Sequence, residues 1–395
     1  MSKAETGRNN ESFYLKKVYK RKLGGSLEFT TARLSYQVSF LIALLVIWKT
    51  VAGGFEPYMI ALAAVFAVEF VLQYYIAGRI RKEVISSEEG ISDRTRKLGY
   101  LLLPFVVTGN FFIFIAGAML AKKEKNLEYQ LAIYSLLVTI FVILVSSLNL
   151  FKEWVVSTFW LGIGLYALYA VLNFVILLAV NKYTFGKKPD KKFMPFAVIC
   201  LLGICLGNVF AFMLGLITIG KYRNKNEEVS VEWIDVIKRL FRNYTAVIGM
   251  FLVVFFITIS IGSNLTFDYE SAISNNFMAR LAEPSLQYPF GCDDYGRCVF
   301  TRIVFGARIS LIIGMISTIV PIICGGILGS VAGYYGGKTD NTIMRFMDVL
   351  NAVPSILLAI AIIAAFGVST VNLILALSVS SIPSYARTVR AQVLG

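Results

Sequence analysis

The stretch AGYYGGKT (residues 332–339) has the residue types and the spacing of a loop that binds the phosphates of a nucleotide. In such a loop, backbone N–H groups converge on the phosphates, while a lysine and a hydroxyl reach the phosphates and the Mg²⁺. That chemistry needs a strand before the loop, but the residues that precede it form an apolar run too long for a strand. The pattern therefore favours a turn between two membrane helices. Gly336 and Gly337 would permit the bend, and Thr339 or Asp340 would cap the next helix.

The composition excludes several other kinds of site. The 395 residues include no histidine, which excludes a Ser-His-Asp triad, a His-bearing zinc site and a histidine proton relay. The formal net charge is +14, but the Lys and Arg residues stand mainly in short segments between apolar runs. Because no basic patch is interleaved with base-stacking aromatic residues, we expect no nucleic-acid partner.

Long apolar runs indicate a membrane protein. Hydrophobic residues make up 57% of the chain, and a membrane span needs about 20 mostly apolar residues. The sequence predicts an all-α, polytopic membrane protein with about ten transmembrane helices. The predicted spans are residues 37–54, 57–78, 99–121, 129–150, 158–181, 194–220, 244–262, 307–333, 344–366 and 369–386.

Polar segments divide the chain into parts. Residues 1–36 are basic, lack the apolar core of a cleavable signal peptide and are expected in the cytosol. Residues 37–220 form a helical membrane module of about six spans with no assigned role. Residues 221–243 predict a cytosolic linker with an amphipathic interfacial helix. The remainder, 244–395, contains a polar segment, 263–303, that is expected on the outer side.

The basic loops of the module conflict with six complete spans. If the N-terminus is inside and all six segments cross, the lysine-rich loops 121–128 and 182–192 fall outside, against the usual excess of positive charge on the cytosolic side. Either the module departs from that rule or one of its segments does not cross.

Glu69 is the ionisable residue nearest the middle of a predicted span. A carboxylate at that depth is costly and marks a candidate functional site. The alternative is a structural role, in which Glu69 is protonated and hydrogen-bonded to Asn110, Asn173 or Asn208 on a neighbouring helix.

Several motifs resemble a known family in both residues and order. They are YPFGCDDYGRCVFTRIVFGARISLIIG (288–314), GSVAGYYGGKTDNTIMRFMDVLNAVPSILLAI (329–360) and SIPSYARTVRAQVLG (381–395), preceded by VIKRLFRNYTAVIGM (236–250). The stretch from about residue 233 to 395 resembles the C-type permease subunit of oligopeptide, dipeptide and nickel ABC importers. The last four predicted helices thus resemble the first part of an importer permease domain, and residues 1–230 lie outside the resemblance.

The resemblance implies a function and a set of partners. The chain would be one of two permease subunits in a prokaryotic inner membrane, with its N-terminus in the cytosol. Two cytosolic ABC ATPase subunits would use ATP and Mg²⁺, and an extracytoplasmic binding protein would deliver a peptide, nickel or another small solute. The chain itself would bind no cofactor, would not be an enzyme and would act by alternating access.

The resemblance also places candidate residues on the two sides of the membrane. On the outer side, local ion pairs are expected to hold the exoplasmic segment, which would also face the binding protein; the candidates are Asp293, Asp294, Arg297 and Arg302. Cys292 and Cys298 stand where the family more often has Thr and Asp. They could form a disulfide, although a helical segment would place them too far apart.

Other candidates concern the transport path and the cytosolic side. Hinge or path candidates, for which plain packing is the alternative, are Gly333, Gly336, Gly337, Pro354 and Pro383. Candidates on the cytosolic side are Asp340, Arg345, Asp348, Arg387 and Arg390. The spacing of Arg345 and Asp348 predicts an i,i+3 ion pair; contact with the ATPase subunits is the alternative.

The family continues beyond the point at which this sequence ends. After Gly395 it would enter the cytosolic coupling loop and two further spans, so we expect either a fragment of a longer permease or a truncated product. Two other function classes remain: a non-transporting membrane scaffold or regulator, and a membrane enzyme whose ATP hydrolysis depends on Lys338.

Overall fold

The fold comes from a computed structural model. It describes residues 19, 22–52, 57–86, 90–123, 126–152, 155–184, 189–223, 236–237, 239–241 and 243–394. Most of the basic N-terminus and most of the predicted interfacial helix lie outside these ranges. The chain divides into two compact units, Met1–Asp268 with Ser285–Pro289, and Tyr269–Pro284 with Phe290–Gly395. The domain boundary predicted at 221–243 stays a prediction.

The first unit is built from helices alone within the described ranges. They are α1 (Leu27–Ala52), α2 (Pro57–Ser86), α3 (Asp93–Leu102), α4 (Phe111–Ala121), α5 (Leu127–Ser147), α6 (Phe159–Tyr183), α7 (Met194–Leu202), α8 (Val209–Arg223) and α9 (Tyr244–Thr266). Over both units, the described residues include six helices that are long and apolar enough to cross a membrane, or seven if one bent pair counts as a span. An all-α, multi-pass membrane protein is confirmed.

Two predicted spans, 99–121 and 194–220, are wrong as single helices. Each is a hairpin of two short helices, α3 with α4 (the first hairpin) and α7 with α8 (the second hairpin). The turns contain Gly109 and Gly207, whose φ angles of 80° and 78° are left-handed. A glycine takes that conformation without strain and ends the helix before it. Arg96, near the start of the first hairpin, donates a hydrogen bond of 2.8 Å to the carbonyl of Lys122 at its end, so the chain returns to the side from which it came.

The first unit repeats one arrangement twice. A helix pair and a hairpin (α1, α2, α3–α4) are followed by a second pair and hairpin (α5, α6, α7–α8). In both copies the first helix packs on the second and on the last. The hairpin sequences GNFFIFIAG (109–117) and GNVFAFMLG (207–215) match at both glycines, the asparagine and two phenylalanines. The predicted spans do not reveal this repeat.

The basic loops of the repeats lie at one end of the first unit. Glu28 at the start of α1 pairs with Arg96 at 3.7 Å, and Glu128 at the start of α5 pairs with Lys221 at the end of α8. Asn126 donates a hydrogen bond of 3.1 Å to the carbonyl of Thr184, just after α6. The described parts of the loops 121–128 and 182–192 therefore lie at the same end, because neither hairpin crosses the unit.

Helix α9 packs within the first unit. The ring of Phe251 stacks on that of Phe111 at 4.3 Å. Thr258 Oγ1 donates a hydrogen bond of 3.1 Å to the carbonyl of Gly207, and the Tyr166 hydroxyl donates one of 3.1 Å to the carbonyl of Thr258. The first helix of the stretch that resembles the permease is thus held by both repeats.

The second unit contains a short helix and four longer ones. They are α10 (Glu270–Ile273), α11 (Val299–Tyr335), α12 (Gly337–Ala352), α13 (Ser355–Phe366) and α14 (Thr370–Leu394). Helix α11 begins at residue 299, whereas the span was predicted from 307, so Arg302 lies on the helix and not before it.

The predicted span 344–366 is wrong as one helix, and Pro354 does not lie inside a helix. Helices α12 and α13 meet at an angle of 86°, and Pro354 is the N-cap residue of α13. A proline disfavours the helical conformation of the residue before it, and Val353 is accordingly extended at φ −85° and ψ 123°. The helix therefore breaks and does not merely kink.

Candidate functional site

The two outer-side cysteines lie opposite each other in a tight turn, the 291–299 turn. Cys292 and Cys298 form an isolated antiparallel bridge. The N–H of Asp293 donates to the carbonyl of Arg297 at 3.1 Å, and the N–H of Val299 donates to that of Gly291 at 3.2 Å. These bonds flank the cysteines, which makes them a non-hydrogen-bonded pair, the geometry in which opposite side chains come closest. The segment is extended and not helical.

Asp293 is the centre of the 291–299 turn. Its carboxylate accepts hydrogen bonds from the backbone N–H of Tyr295 at 3.0 Å and of Arg297 at 2.9 Å, and from Arg297 Nε at 2.8 Å. Arg302 also pairs with it. Burial alone would raise the pKa of Asp293, but these hydrogen bonds and the Arg297 charge lower it to about 2. Asp294 is exposed to solvent, so the structure brings together three of the four outer-side charged candidates.

The AGYYGGKT stretch covers the end of α11, a turn at Gly336 and the start of α12, so it follows a helix and not a strand. Gly336 and Gly337 have φ angles of 58° and 53°, and α12 begins at Gly337 with Gly336 as its N-cap residue. The prediction that Thr339 or Asp340 caps this helix is therefore wrong. Asp340 instead binds Arg390 of α14 through two hydrogen bonds, Nε to Oδ1 at 2.5 Å and NH2 to Oδ2 at 2.6 Å.

The predicted pair of Arg345 with Asp348 does not form. Asp348 pairs with Arg387 of α14 at 2.8 Å, and Arg345 Nε donates a hydrogen bond of 3.2 Å to Asn341 on its own helix. Helix α12 packs on α14, which offers Asp348 a guanidinium outside its own helix. The structure thus joins four of the five cytosolic-side candidates in two ion pairs between α12 and α14.

Small residues bring α11 and α14 together. Gly325, Gly329 and Gly333 lie at successive turns of α11, and a Cβ at any of them would crowd atoms of α14. A Cβ on Gly326 would meet no atom within 4 Å. Of the proline candidates, Pro383 is buried within α14 and Pro354 is exposed at the break before α13.

Glu69 is fully buried in the first repeat. Its carboxyl oxygens lie 2.5 Å from Thr108 Oγ1 and 2.8 Å from Asn110 Nδ2, and the same amide nitrogen donates to Ser39 Oγ at 2.8 Å. Of the three asparagines that the sequence offered, Asn110 reaches Glu69, while Asn173 and Asn208 belong to the second repeat. The described residues contain no group of three or more His, Cys, Asp or Glu side chains that could hold a metal ion.

The Asp293 cluster yields a prediction about the 291–299 turn. We expect Asp293→Asn to raise the alkylation rate of Cys298, which is 2% exposed, by about tenfold, the effect of one lost charge-assisted hydrogen bond. Asp294→Asn is the matched control and should leave the rate unchanged. The rate is measured by mass spectrometry on the reduced protein. Equal rates in both variants would contradict the assignment of Asp293 as the centre of the turn.

The same carboxylate sets a pH dependence. Since the pKa of Asp293 is lowered from 3.8 to about 2, its stabilisation is complete above pH ~4 and is lost as the pH falls towards 2. The protection of the amides of residues 291–299, expressed relative to intrinsic exchange at each pH, should therefore stay constant down to about pH 4 and fall below it only in the protein that retains Asp293.

Comparisons with known proteins match the C-terminal part of the chain. Residues 232–284 match the N-terminal TM domain of oligopeptide transport permease C, and residues 325–395 match the binding-protein-dependent transport system inner membrane component. No solved structure gives a significant match.

Curated relatives match the same part. The dipeptide transport system permease protein DppC of Alkalihalophilus pseudofirmus is 41% identical over 162 residues, which are 41% of this chain and 53% of the relative. The glutathione transport system permease protein GsiD of Pectobacterium atrosepticum is 37% identical over 170 residues, 43% of this chain and 56% of the relative. The oligopeptide transport system permease protein OppC of Bacillus subtilis is 35% identical over 162 residues, which are 41% of this chain and 53% of the relative.

This chain spans about half the length of these relatives. The resemblance drawn from the sequence is confirmed: residues 232–395 are similar to the C-type permease subunits of peptide ABC importers.

Proposed function

We propose that this chain acts as a permease subunit of a binding-protein-dependent ABC importer for short peptides. The observation that carries the proposal is the pair of family matches, over residues 232–284 and 325–395, together with relatives named for dipeptide, glutathione and oligopeptide transport. A second permease subunit, two ATPase subunits that use ATP and Mg²⁺, and an extracytoplasmic binding protein complete the proposed importer. The chain itself is not an enzyme in this proposal and binds no cofactor.

The helix contacts of the second unit support a sliding movement. Helices α11 and α14 meet across Gly325, Gly329 and Gly333, and small residues let helices approach closely in lipid. The ion pairs Asp340–Arg390 and Asp348–Arg387 tie α12 to α14. In alternating access, closure of the ATPases would move α12 and α14 as a pair, and α14 would slide along the glycines of α11.

A pair of glycine variants tests the transport role. In cells that take up a labelled dipeptide through this importer, Gly329→Ala should lower the uptake rate by about tenfold, equivalent to ~1.4 kcal/mol, because its methyl would crowd the backbone of Ala386. Gly326→Ala on the same helix meets open space and should retain uptake. The tagged chain should co-purify from native membranes with ATPase subunits and a second permease. Uptake that is independent of the chain, and isolation without ATPase, would contradict the proposal.

One observation favours a second candidate, a membrane regulator. Helix α9, which begins the stretch that resembles the permease, is held by Phe111, Tyr166 and Gly207 of the repeats. A module that binds α9 in this way could set the position of the helix without itself forming a path for a substrate. Isolation of the chain in a stable complex that lacks ATPase subunits would favour this candidate.

We further propose that the N-terminus is cytosolic and that both hairpins enter the membrane from the cytosolic side and return to it. With α1, α2, α5, α6, α9 and α11 crossing and both hairpins returning to the side they entered from, every basic loop of the repeats lies inside and residues 263–303 lie outside. This arrangement satisfies the positive-inside rule. An arrangement in which all six predicted segments of the module cross would violate the rule.

Cysteine labelling tests this topology. In a background with all five native cysteines replaced by Ala, the variants Lys123→Cys and Lys192→Cys should react with an impermeant maleimide only after the membrane is opened. Met278→Cys, at a residue that is 99% exposed, should react from outside in intact cells. Labelling of Lys123→Cys from outside would show that the first hairpin crosses.

We also propose that Cys292 and Cys298 form a disulfide in the protein's outer compartment. Opposed residues of a non-hydrogen-bonded pair have Cα atoms about 4.5 Å apart, within the range of about 4.4–6.8 Å for disulfides. An external disulfide would oxidise Cys292 and Cys298 by thiol–disulfide exchange, so that two protein thiols become one S–S bond and the oxidant leaves as two thiols.

Mass spectrometry tests the disulfide. After alkylation without reductant, protein taken from native membranes should have Cys292 and Cys298 unmodified and joined in one cross-linked peptide, and both should react once reductant is added. The alkylation is carried out on unfolded protein, in which Cys324, from the membrane-spanning part of α11, should react and serves as the control. Modification of both turn cysteines in unfolded, unreduced protein would overturn the proposal.

A further inference from the structure

The two repeats place a polar cluster at the same point. In each copy the asparagine after the turn glycine reaches the first helix of its repeat. Asn110 donates to Ser39 at 2.8 Å, and Asn208 donates to the carbonyl of Ser135 at 2.9 Å. The second helix contributes a polar residue at the corresponding position near its middle, Glu69 in the first copy and Asn173 in the second. The local sequences agree, since EFVL (69–72) corresponds to NFVI (173–176).

In the second copy this cluster is neutral and its amides are paired. Ser135 Oγ donates to Asn173 Oδ1 at 2.7 Å, and Asn173 Nδ2 donates to Thr139 Oγ1 at 3.3 Å. Asn208 Nδ2 donates to Thr139 as well, and its Oδ1 accepts from the N–H of Ala211 at 3.1 Å. Among the described residues of this copy's cluster, the Tyr169 hydroxyl is the polar group without a partner. The repeat therefore folds without a carboxyl group.

In the first copy the cluster is acidic and incomplete. Glu69 replaces the amide, and three buried groups have no hydrogen-bond partner among the described residues: Asn110 Oδ1, both amide atoms of Gln73, and Ser35 Oγ. Gln73 is fully buried and lies one turn from Glu69 on the same face of α2. An unpaired buried amide is costly, so these atoms point to a missing ligand.

The helix register brings the unpaired atoms to the level of Glu69. The ring pairs Phe40–Phe70 at 5.2 Å and Tyr36–Tyr74 at 5.7 Å align the antiparallel helices α1 and α2. In this register the turn of α1 from Ser35 to Ser39 lies beside the turn of α2 from Glu69 to Gln73. The surroundings thus offer one carboxyl group and neutral hydroxyl and amide oxygens, which are the donors that suit a hard cation of low charge.

The hydrogen bonds around Thr108 fit a Glu69 that carries a proton. Thr108 Oγ1 lies 2.5 Å from Glu69 Oε1 and 2.7 Å from the carbonyl of Phe105. A carbonyl only accepts, and the hydroxyl has one hydrogen to give. If Thr108 donates that hydrogen to Phe105, the hydrogen in the contact with Glu69 comes from a protonated carboxyl.

The helices packed around Glu69 supply no other charge at its level. The charged residues of α1 are Glu28, Arg33 and Lys49, towards its two ends, and those of α2 other than Glu69 begin at Arg79. Residues 103–121, which form the turn and α4, contain none. The nearest titratable groups on these elements are Tyr36, Tyr74 and Tyr75, so a bound cation is what can neutralise Glu69 there.

We propose that Glu69, with Gln73, Asn110 and the α1 serines, forms a binding site for a single monovalent cation, either an exchangeable proton or Na⁺. The second repeat is its neutral structural counterpart. The site lies within the first unit and is independent of the transport function proposed above.

Labelling with a hydrophobic carbodiimide tests for the proton. This reagent modifies protonated, buried carboxyl groups, and mass spectrometry of the purified full chain in detergent locates the product. We expect labelling at Glu69 that falls as the pH rises. Glu128 is the internal control, because it is equally buried but ion-paired with Lys221 and should stay unlabelled. No labelling of Glu69 at any pH, together with no effect of Na⁺, would overturn the proposal.

The Na⁺ arm uses the same protein with NaCl replaced by choline chloride at constant ionic strength and pH. If Na⁺ competes for the site, it should suppress carbodiimide labelling and raise Tm. Suppression by pH alone would identify the ligand as a proton. Glu69→Asn, which reproduces the residue of the second repeat, should fold and lose both responses. Retention of the Na⁺ response in that variant would place the site elsewhere and overturn the proposal.

Gln73→Leu separates a ligand from a packing defect. If the Gln73 amide is merely an unpaired buried group, leucine should raise Tm and leave the cation response intact. If Gln73 is a ligand or orients one, the variant should need a higher Na⁺ concentration, or change the pH at which labelling falls. An unchanged response would remove Gln73 from the site and would overturn the proposal in this form.

Discussion

Both hairpins of the first unit reverse direction inside a helical bundle, where each backbone N–H and C=O needs a partner because no water is at hand. In the turns, some backbone N–H and C=O groups have no partner within a helix. Side chains form hydrogen bonds with these groups. Asn208 Oδ1 accepts from the N–H of Ala211, and Thr258 Oγ1 donates to the carbonyl of Gly207. Thr108 Oγ1 donates to the carbonyl of Phe105. The polar residues at the hairpin ends are thus first of all a condition for this fold.

The second unit meets the same constraint by other means. Its helix breaks use residues that leave fewer open groups: Pro354 has no N–H to satisfy, and the N–H groups of Gly336 and Gly367 still bond back into the preceding helix at 3.0 and 2.8 Å. Contact between α11 and α14 relies on the absence of side chains at Gly325, Gly329 and Gly333 and needs no polar partner. The hairpins of the first unit thus depend on buried hydrogen bonds, whereas the contact between α11 and α14 depends on close backbone approach.

The sequence predicted what depends on composition and local motif: the membrane class, the helical fold and the resemblance of residues 233–395. It could not predict where the chain folds back. Hydropathy depends only on the apolar residues along the chain, so it contains no information about a reversal of direction at Gly109 or Gly207. Nor could spacing along α12 reveal that Asp348 pairs with Arg387, since that partner is supplied by tertiary packing. A comparison of the chain with itself would have found the repeated Gly-Asn-x-Phe-x-Phe motif.

The repeat changes how Glu69 is to be judged. A buried polar residue normally has no reference against which to decide between structure and function, and here the second repeat provides one. Asn173 completes the same helix pair and hairpin with a neutral amide, so the fold does not require a carboxyl group at this position. An acidic residue at the centre of a membrane helix costs about 2.5–3.5 kcal/mol, and in this copy it leaves Gln73 and Asn110 incompletely bonded. Glu69 therefore destabilises the fold without a structural role, which is the expected property of a residue that binds a ligand.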